Sequence, residues 1–335
     1  MDSDKVKYSL VLQSFGNEKE YRRAVFCILS HASFNEGHCD KTILFTDNPD
    51  YFRSYLKGME IRYILLTPEK IKAMRGKINF LHRMKIVIIE EAFSMTKEKL
   101  LYVDSDCYFM SSPAVLMEQI SPNVSGMHVR EYPFKNLKDM ALPAGETFRA
   151  FYNLIASNEF LWNDGASAKI SGEEFSWNAG AMMFHPSHQK LMDDVYKLTE
   201  QFYPATMNHA SEQYAFSIVL QRNTSIIALD KAIYHYWYRI KKNIVDDTLE
   251  KELDDLLLTK SVRFEKIKQL TIRFELLLEN HHWMLKDKAI QAFHENRFSQ
   301  GYGFALRALM KNPLDKKFIM DVGYHTRRWL QISFR

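Results

Sequence analysis

The chain has 335 residues, enough for one large domain or two modest ones. Hydrophobic residues at 46% and charged residues at 26%, with only 12 Gly and 9 Pro, exclude a disordered, fibrous or linker-rich protein. The formal charge of +4 is unevenly placed: Lys286–Arg335 carries ten Lys/Arg against four Asp/Glu, which leaves 35 against 37 before it, so the body is no nucleic-acid-coating surface.

Tyr8–Leu12 predicts a buried strand that ends in a polar turn at Gln13–Asn17. Tyr21, Val25, Ile28, Leu29 and Ala32 recur at helical spacing and predict a helix over 18–35. Lys41–Thr46 predicts a second strand, stopped by Asp47-Asn-Pro49, and Glu60–Leu66 a third, stopped by Thr67-Pro68. Phe80–Met95 reads as a long helix and Leu100–Val103 as a fourth strand. This alternation predicts an α/β fold around a mostly parallel sheet. Ligands of such sheets gather beyond the carboxyl ends of the strands.

Farther on, Val124–Val129 and Ala179–Phe184 predict strands, Pro186–Tyr203 and Ser211–Gln221 predict helices, and Ile226–Leu229 predicts a strand that runs on to Tyr234. After Asp246, Leu249, Leu253, Leu256, Leu257, Val262, Ile267 and Leu270 mark helices, and strand signals thin out. The expected division is a body of residues 1–245 and a helical extension of residues 246–335. Lys288 to Pro313 resembles one helix pair of a tetratricopeptide-like repeat, and one such pair cannot bury its own apolar face.

Met1–Lys5 lacks the apolar region of a secretory signal, and no segment approaches the roughly 18 apolar residues of a membrane span. Cys27, Cys39 and Cys107 are too few and too scattered for a disulfide framework or a zinc cage. A cytoplasmic protein with reduced thiols is expected.

Four short constellations carry chemistry. Leu101-Tyr-Val-Asp-Ser-Asp-Cys-Tyr108 places Asp104 and Asp106 directly after an apolar strand. Residues i and i+2 of an extended chain share a side, so both carboxylates can face one ligand. Carboxylates are hard donors for magnesium or manganese, and such a metal can stabilise the diphosphate of a nucleotide as a leaving group. Ser176–Phe184 holds Asn178, whose amide suits sugar hydroxyls, and the small residues Ala179 and Gly180, which allow close approach by a ligand or another backbone. Ser211-Glu-Gln-Tyr214 opens a helix, where Ser211 can cap and Glu212 can sit at the positive end of the dipole. Tyr234-His-Tyr-Trp237 offers His235, either as a packed imidazole or as a manganese ligand.

Taken in order, these motifs resemble a GT-A-fold glycosyltransferase of the family 8 type, the glycogenin and bacterial lipopolysaccharide galactosyltransferase group. The resemblance covers about residues 6 to 240. It implies a metal-dependent transfer from a nucleotide diphosphate sugar, a uridine one in that family, to a hydroxyl of a glycan, glycolipid or protein, as in surface glycan or lipopolysaccharide synthesis. It implies Mn2+ or Mg2+ on Asp104, Asp106 and His235, with Ser105 between the two aspartates at the nucleotide. Asn178, Ala179 and Gly180 match the segment lining the donor sugar and acceptor, and Glu212 and Gln213 the polar residues under the transferred sugar. Tyr21 matches a base contact, Asp47 ends the second strand near that pocket, and Arg83 or Lys85 matches a diphosphate contact. The family's late His-Phe-x-Gly-x-x-Lys-Pro-Trp pattern is replaced by His235-Tyr-Trp-Tyr-Arg-Ile-Lys-Lys242, where Lys241 or Lys242 takes the place of the lysine.

Two other readings compete. A haloacid dehalogenase-type phosphatase also uses Asp-x-Asp after a strand, with the first Asp as nucleophile, but that class places the motif on its first strand and three strands precede it here. A non-catalytic scaffold with a partner-binding helical tail is the other. The tail itself, Val322–Arg335, mixes Arg with Trp, Leu, Ile and Phe, which suits either an anionic membrane surface or a helix docked on the body.

Overall fold

The computed structural model describes residues 6–35, 39–140, 145–254 and 260–333. In chain order the first elements are β1 (Tyr8–Ser14), α1 (Glu18–Phe34), β2 (Cys39–Thr46), α2 (Pro49–Tyr55), β3 (Ile61–Leu65), α3 (Pro68–Arg75), α4 (Arg83–Phe93), β4 (Lys99–Val103) and β5 (Cys107–Phe109). Then come α5 (Ala114–Gln119), β6 (Val124–Met127), β7 (Arg130–Pro133), α6 (Gly145–Ser157), β8 (Glu159–Leu161), β9 (Ser167–Lys169), β10 (Phe175–Trp177) and β11 (Ala181–Phe184). They are followed by α7 (Met192–Thr206), α8 (Ser211–Asn223), β12 (Ser225–Ala228) and β13 (Ile233–His235). The remaining described elements are helical: α9 (Arg239–Glu252), α10 (Lys260–Asn280), α11 (His282–His294), α12 (Phe298–Lys311) and α13 (Lys316–Ser333).

Local chemistry fixes the early boundaries. Asn17 caps α1 by accepting from the Glu20 amide, with Glu18 and Glu20 in the positive first turn. Asn48 before Pro49 and Thr67 before Pro68 do the same for α2 and α3, the proline filling a position whose N–H has no helical partner.

Seven strands form one sheet in the order β12-β6-β11-β4-β1-β2-β3. All its pairings are parallel except those of β11, which runs antiparallel to both β4 and β6. The expected α/β class with a mostly parallel central sheet is therefore what the chain adopts. Leu10, Val11 and Leu12 of β1, Leu101 to Val103 of β4 and all of β11 are buried, as continuous apolar runs covered on both faces should be. The chain lays β2 and β3 on one side of β1 and β4 on the other, so the strand order reverses at β1 and opens a crevice beside it.

Several elements differ from expectation. The strand expected to run from Ile226 to Tyr234 is two, β12 and β13, in different sheets. The Leu229 carbonyl accepts from both Ala232 and Ile233 and turns the chain between them. Pro186–Tyr203 is a 3-10 turn at Pro186–Leu191 followed by α7. The long helix of 80–95 starts only at Arg83, because Phe80 to His82 form turns. Ser211 does not cap α8: it is the first helical residue and its hydroxyl donates to the Asn208 carbonyl. Leu256, Leu257, Phe334 and Arg335 lie outside the described residues.

The chain divides into two compact units. The first runs to His235 and takes up Leu253–Ile267; the second holds Tyr236–Glu252 and Lys268–Arg335. Residue 245, where the composition changes, falls inside α9. In the second unit α11 and α12 pack as a pair around Leu285, Ala289, Phe293, Phe298, Ala305 and Ala308. α13 adds Phe318 to that cluster, which is how the pair covers its apolar face. A methyl group on Gly301 would stand 2.4 Å from the Phe293 ring, so the close approach of α11 and α12 needs glycine there.

Candidate active site

Most of the sequence-selected residues of the first unit, Arg83 excepted, lie at the edge of the sheet where the parallel strands end. β1 ends in Gln13 and Ser14, β2 runs into Asp47, and β4 runs into Asp104. Because β11 is antiparallel, its beginning lies at this same edge, which brings Asn178, Ala179 and Gly180 beside Asp104. The Asp104 amide donates to the Gly180 carbonyl at 2.8 Å and ties the two segments together.

Lys85, on α4, is the hub of one half of the site. Its Nζ lies 3.1 Å from Asp104 Oδ2, 3.1 Å from Glu212 Oε1 and 3.1 Å from the Ala179 carbonyl. The side chain is almost wholly buried. Burial alone would push its ammonium down, but Asp104 and Glu212 outweigh that and hold it above the ordinary lysine value. The Tyr102 hydroxyl donates to Asp104 Oδ1 at 2.8 Å and accepts from Gln13 Nε2 at 3.2 Å. Burial, then the Asp104 charge, raise the tyrosine pKa well above its usual value, so it stays a donor.

The other half is built on His235. Its Nδ1 is 2.7 Å from Asn178 Oδ1, which also accepts the Gly180 amide at 3.0 Å, while Asn178 Nδ2 donates to Glu131. An oxygen in that position can only accept, so Nδ1 carries a proton. Nε2 then faces Asp106 Oδ1 at 3.2 Å. An imidazole nitrogen and a carboxylate oxygen are both atom types that ligate divalent cations. Among the described residues, Asp106, Cys107 and His235 are the group whose ligand atoms cluster closely enough for one metal ion. Cys107 is the weak member. Its thiol donates to the Gly180 carbonyl, and burial, then the Asp106 charge, raise its pKa well above the usual thiol range. Asp104 is not in that group; it is held by Lys85 and Tyr102 instead.

A third cluster escaped the sequence. Glu131 of β7 accepts from Ser176 Oγ at 2.9 Å, Gln213 Nε2 at 2.9 Å and Asn178 Nδ2 at 3.3 Å. Gln213 Oε1 accepts the Ala179 amide at 3.3 Å. Gln213 is thereby committed to holding the Asn178–Gly180 segment. The pairing of β7 with β10 brings Glu131 here, and no local spacing announces a contact across more than 40 residues.

At the far side of the crevice Asp47 accepts from the Tyr21 hydroxyl at 2.8 Å and from the Gly16 amide at 3.0 Å. Burial and this bond push the Tyr21 pKa up to about 12. Ser105 Oγ donates to Glu20, which also pairs with Arg23. Gln13 Oε1 and Ser14 Oγ are buried with no partner at the end of β1, where a ligand's donors could satisfy them. Arg83 is not part of the cluster: it binds Glu200 and the Met74 carbonyl and lies over the Tyr196 ring. Lys241 lies on α9, in the second unit.

No family model and no curated protein matches the chain. Solved structures do. One is mouse xyloside xylosyltransferase 1 in its apo form, 10% identical over 67% of this chain and 85% of that one, with a TM-score of 0.43.

Proposed function

We propose that the chain is a GT-A-type glycosyltransferase, moving a sugar from a nucleotide diphosphate sugar, a uridine one in our reading, to a hydroxyl acceptor. The observation that carries this is the meeting of Asp106 and the Asn178-oriented His235 at the point where the strand order reverses. That crevice is where open α/β sheets receive nucleotides. The chemistry belongs, in this reading, to residues 1–245, with 246–335 an extension.

The donor set fits a divalent cation. Lys85 is one buried ammonium shared by two carboxylates, Asp104 and Glu212. Asp106 and His235 would hold manganese or magnesium, with Asp104 at its margin. Such an ion supplies a Lewis acid that draws charge from a departing diphosphate. Asn178 sets the imidazole tautomer that leaves Nε2 as a ligand atom. Lys85 keeps its proton, fixes the carboxylates of Asp104 and Glu212, and adds positive charge next to the diphosphate. Glu212, paired with Lys85, is the group able to take the acceptor proton or to stabilise a cationic sugar. Tyr21 and Asp47 are assigned to the base side, and Ser105, Ala179 and Gly180 to the donor sugar and diphosphate.

Incubation with a panel of uridine diphosphate sugars and Mn2+ tests the class by release of uridine diphosphate. Asp106→Asn should lower turnover at least about a hundredfold. No turnover and no metal-dependent nucleotide binding across the panel would overturn the reading.

A further inference from the structure

The outward side of α13 is unlike that of a helix facing water. Its inner side is set by Phe318 and His325, both buried, with Thr326 accepting a hydrogen bond from the Tyr302 hydroxyl at 2.9 Å. At 3.6 residues per turn the opposite side holds Lys316, Ile319, Met320, Tyr324, Arg327 and Leu330. All six are exposed, Met320 at 75% and Tyr324 at 66%, and none is acidic. Surface helices place polar residues on that side. Leu314, 84% exposed, stands just before the helix, and α12 presents Leu306 and Met310 one turn apart. Of the eighteen large apolar side chains exposed among the described residues, eight fall within residues 306–330.

We propose that this face docks on an anionic lipid bilayer. Charge selects the occupant. Residues 307–328 hold six Lys/Arg against Asp315 and Asp321, and Asp315 is already paired with Lys286. The apolar centres of protein interfaces are depleted of lysine. Here Lys316 and Arg327 alternate with Met320 and Tyr324 on one side. That arrangement suits apolar stems among acyl chains and cationic ends among headgroup phosphates. No described helix is long and apolar enough to cross a membrane, and α13 has one side committed to the helical core, so it lies along the surface. The docking face also starts earlier than the 322–335 segment read from the sequence. Within that segment His325 faces inward, while Lys316, Ile319 and Met320 precede it.

The inference stands apart from the transferase reading, and its readout needs no donor. Full-length protein is sedimented with vesicles of phosphatidylcholine alone and with added phosphatidylglycerol. It should bind the anionic vesicles, and binding should fall at least about tenfold on neutral vesicles or in high salt. Met320→Glu with Tyr324→Glu, and separately Lys316→Glu with Arg327→Glu, should each lower binding about tenfold or more. Their circular dichroism should be unchanged, since these side chains face outward. Met320→Ser with Tyr324→Ser is the fallback where the acidic pair misfolds, and Lys57→Glu should leave binding intact. Failure of the full chain to bind anionic vesicles, binding indifferent to these changes, or self-association through this face without lipid would overturn the proposal.

Discussion

Gly180 shows how narrowly the site is built at the scale of one residue. A methyl group there would stand 2.1 Å from His235 Nδ1, so the imidazole and Asn178 could not keep their bond. Gly180→Ala should therefore cut turnover at least about a hundredfold while the chain stays folded. Gly303→Ala, with nothing within 4 Å of the new methyl, should be tolerated; equal losses from both would remove the argument. Some of this was legible beforehand and some was not. Asp104 and Asp106 stood out because an apolar run ends in acids where α/β sheets receive ligands. Arg83 and Lys85 were indistinguishable by type and neighbourhood. Two residues apart on a helix is about 200° of rotation, so at most one could point into the crevice, and burial gave that side to Lys85. Glu131 carried no local signal at all, since its partners lie 45, 47 and 82 residues away.

At the scale of an element, α1 makes a specific demand on pH. His31 is buried in its last turn, with Nε2 2.7 Å from the Tyr8 hydroxyl of β1 and its ring against Phe109 of β5. Burial lowers its pKa to about 3. The unfolded chain takes up this proton near the ordinary histidine value, about 6.5. Between those values the unfolded state binds more protons, so the contribution is full above about 6.5 and is lost as pH falls toward 3. The loss should approach about 1.4 kcal/mol per pH unit for this group. His31→Gln keeps a hydrogen-bonding partner for Tyr8 without the titration. Its urea midpoint should decline less steeply between pH 6 and pH 4 than that of the parent, and an unchanged slope would count against the account. Helical periodicity found α1, α8, α11 and α12 readily. The apolar strand run at Ile226–Leu229 ran together β12 and β13, because Leu229 to Ala232 is apolar enough at its ends to extend a strand pattern across a turn.

For the whole molecule, the charge asymmetry of the sequence acquires a location: the basic tail supplies most of α11 together with α12 and α13, and the slightly acidic remainder holds the buried carboxylates of the crevice. If that crevice takes a divalent ion, binding must raise global stability by mass action. Mn2+ at 100 times its Kd adds about 2.7 kcal/mol, several degrees in Tm for a unit of this size. The gain should vanish with chelator and in Asp106→Asn; a Tm indifferent to Mn2+ in the parent protein would contradict it. The antiparallel strand β11 carries a last consequence, one of timing. It inserts between β4 and β6, two strands that precede it in the chain, and it sets Asn178 and Gly180 against Asp104. His235, the final member of the cluster, comes more than 50 residues later. Loops of that length must close before these contacts reward the chain. During synthesis from the N-terminus, the parallel strands β1 to β4 can assemble first, and the crevice gains its chemistry only after about two-thirds of the protein has been made.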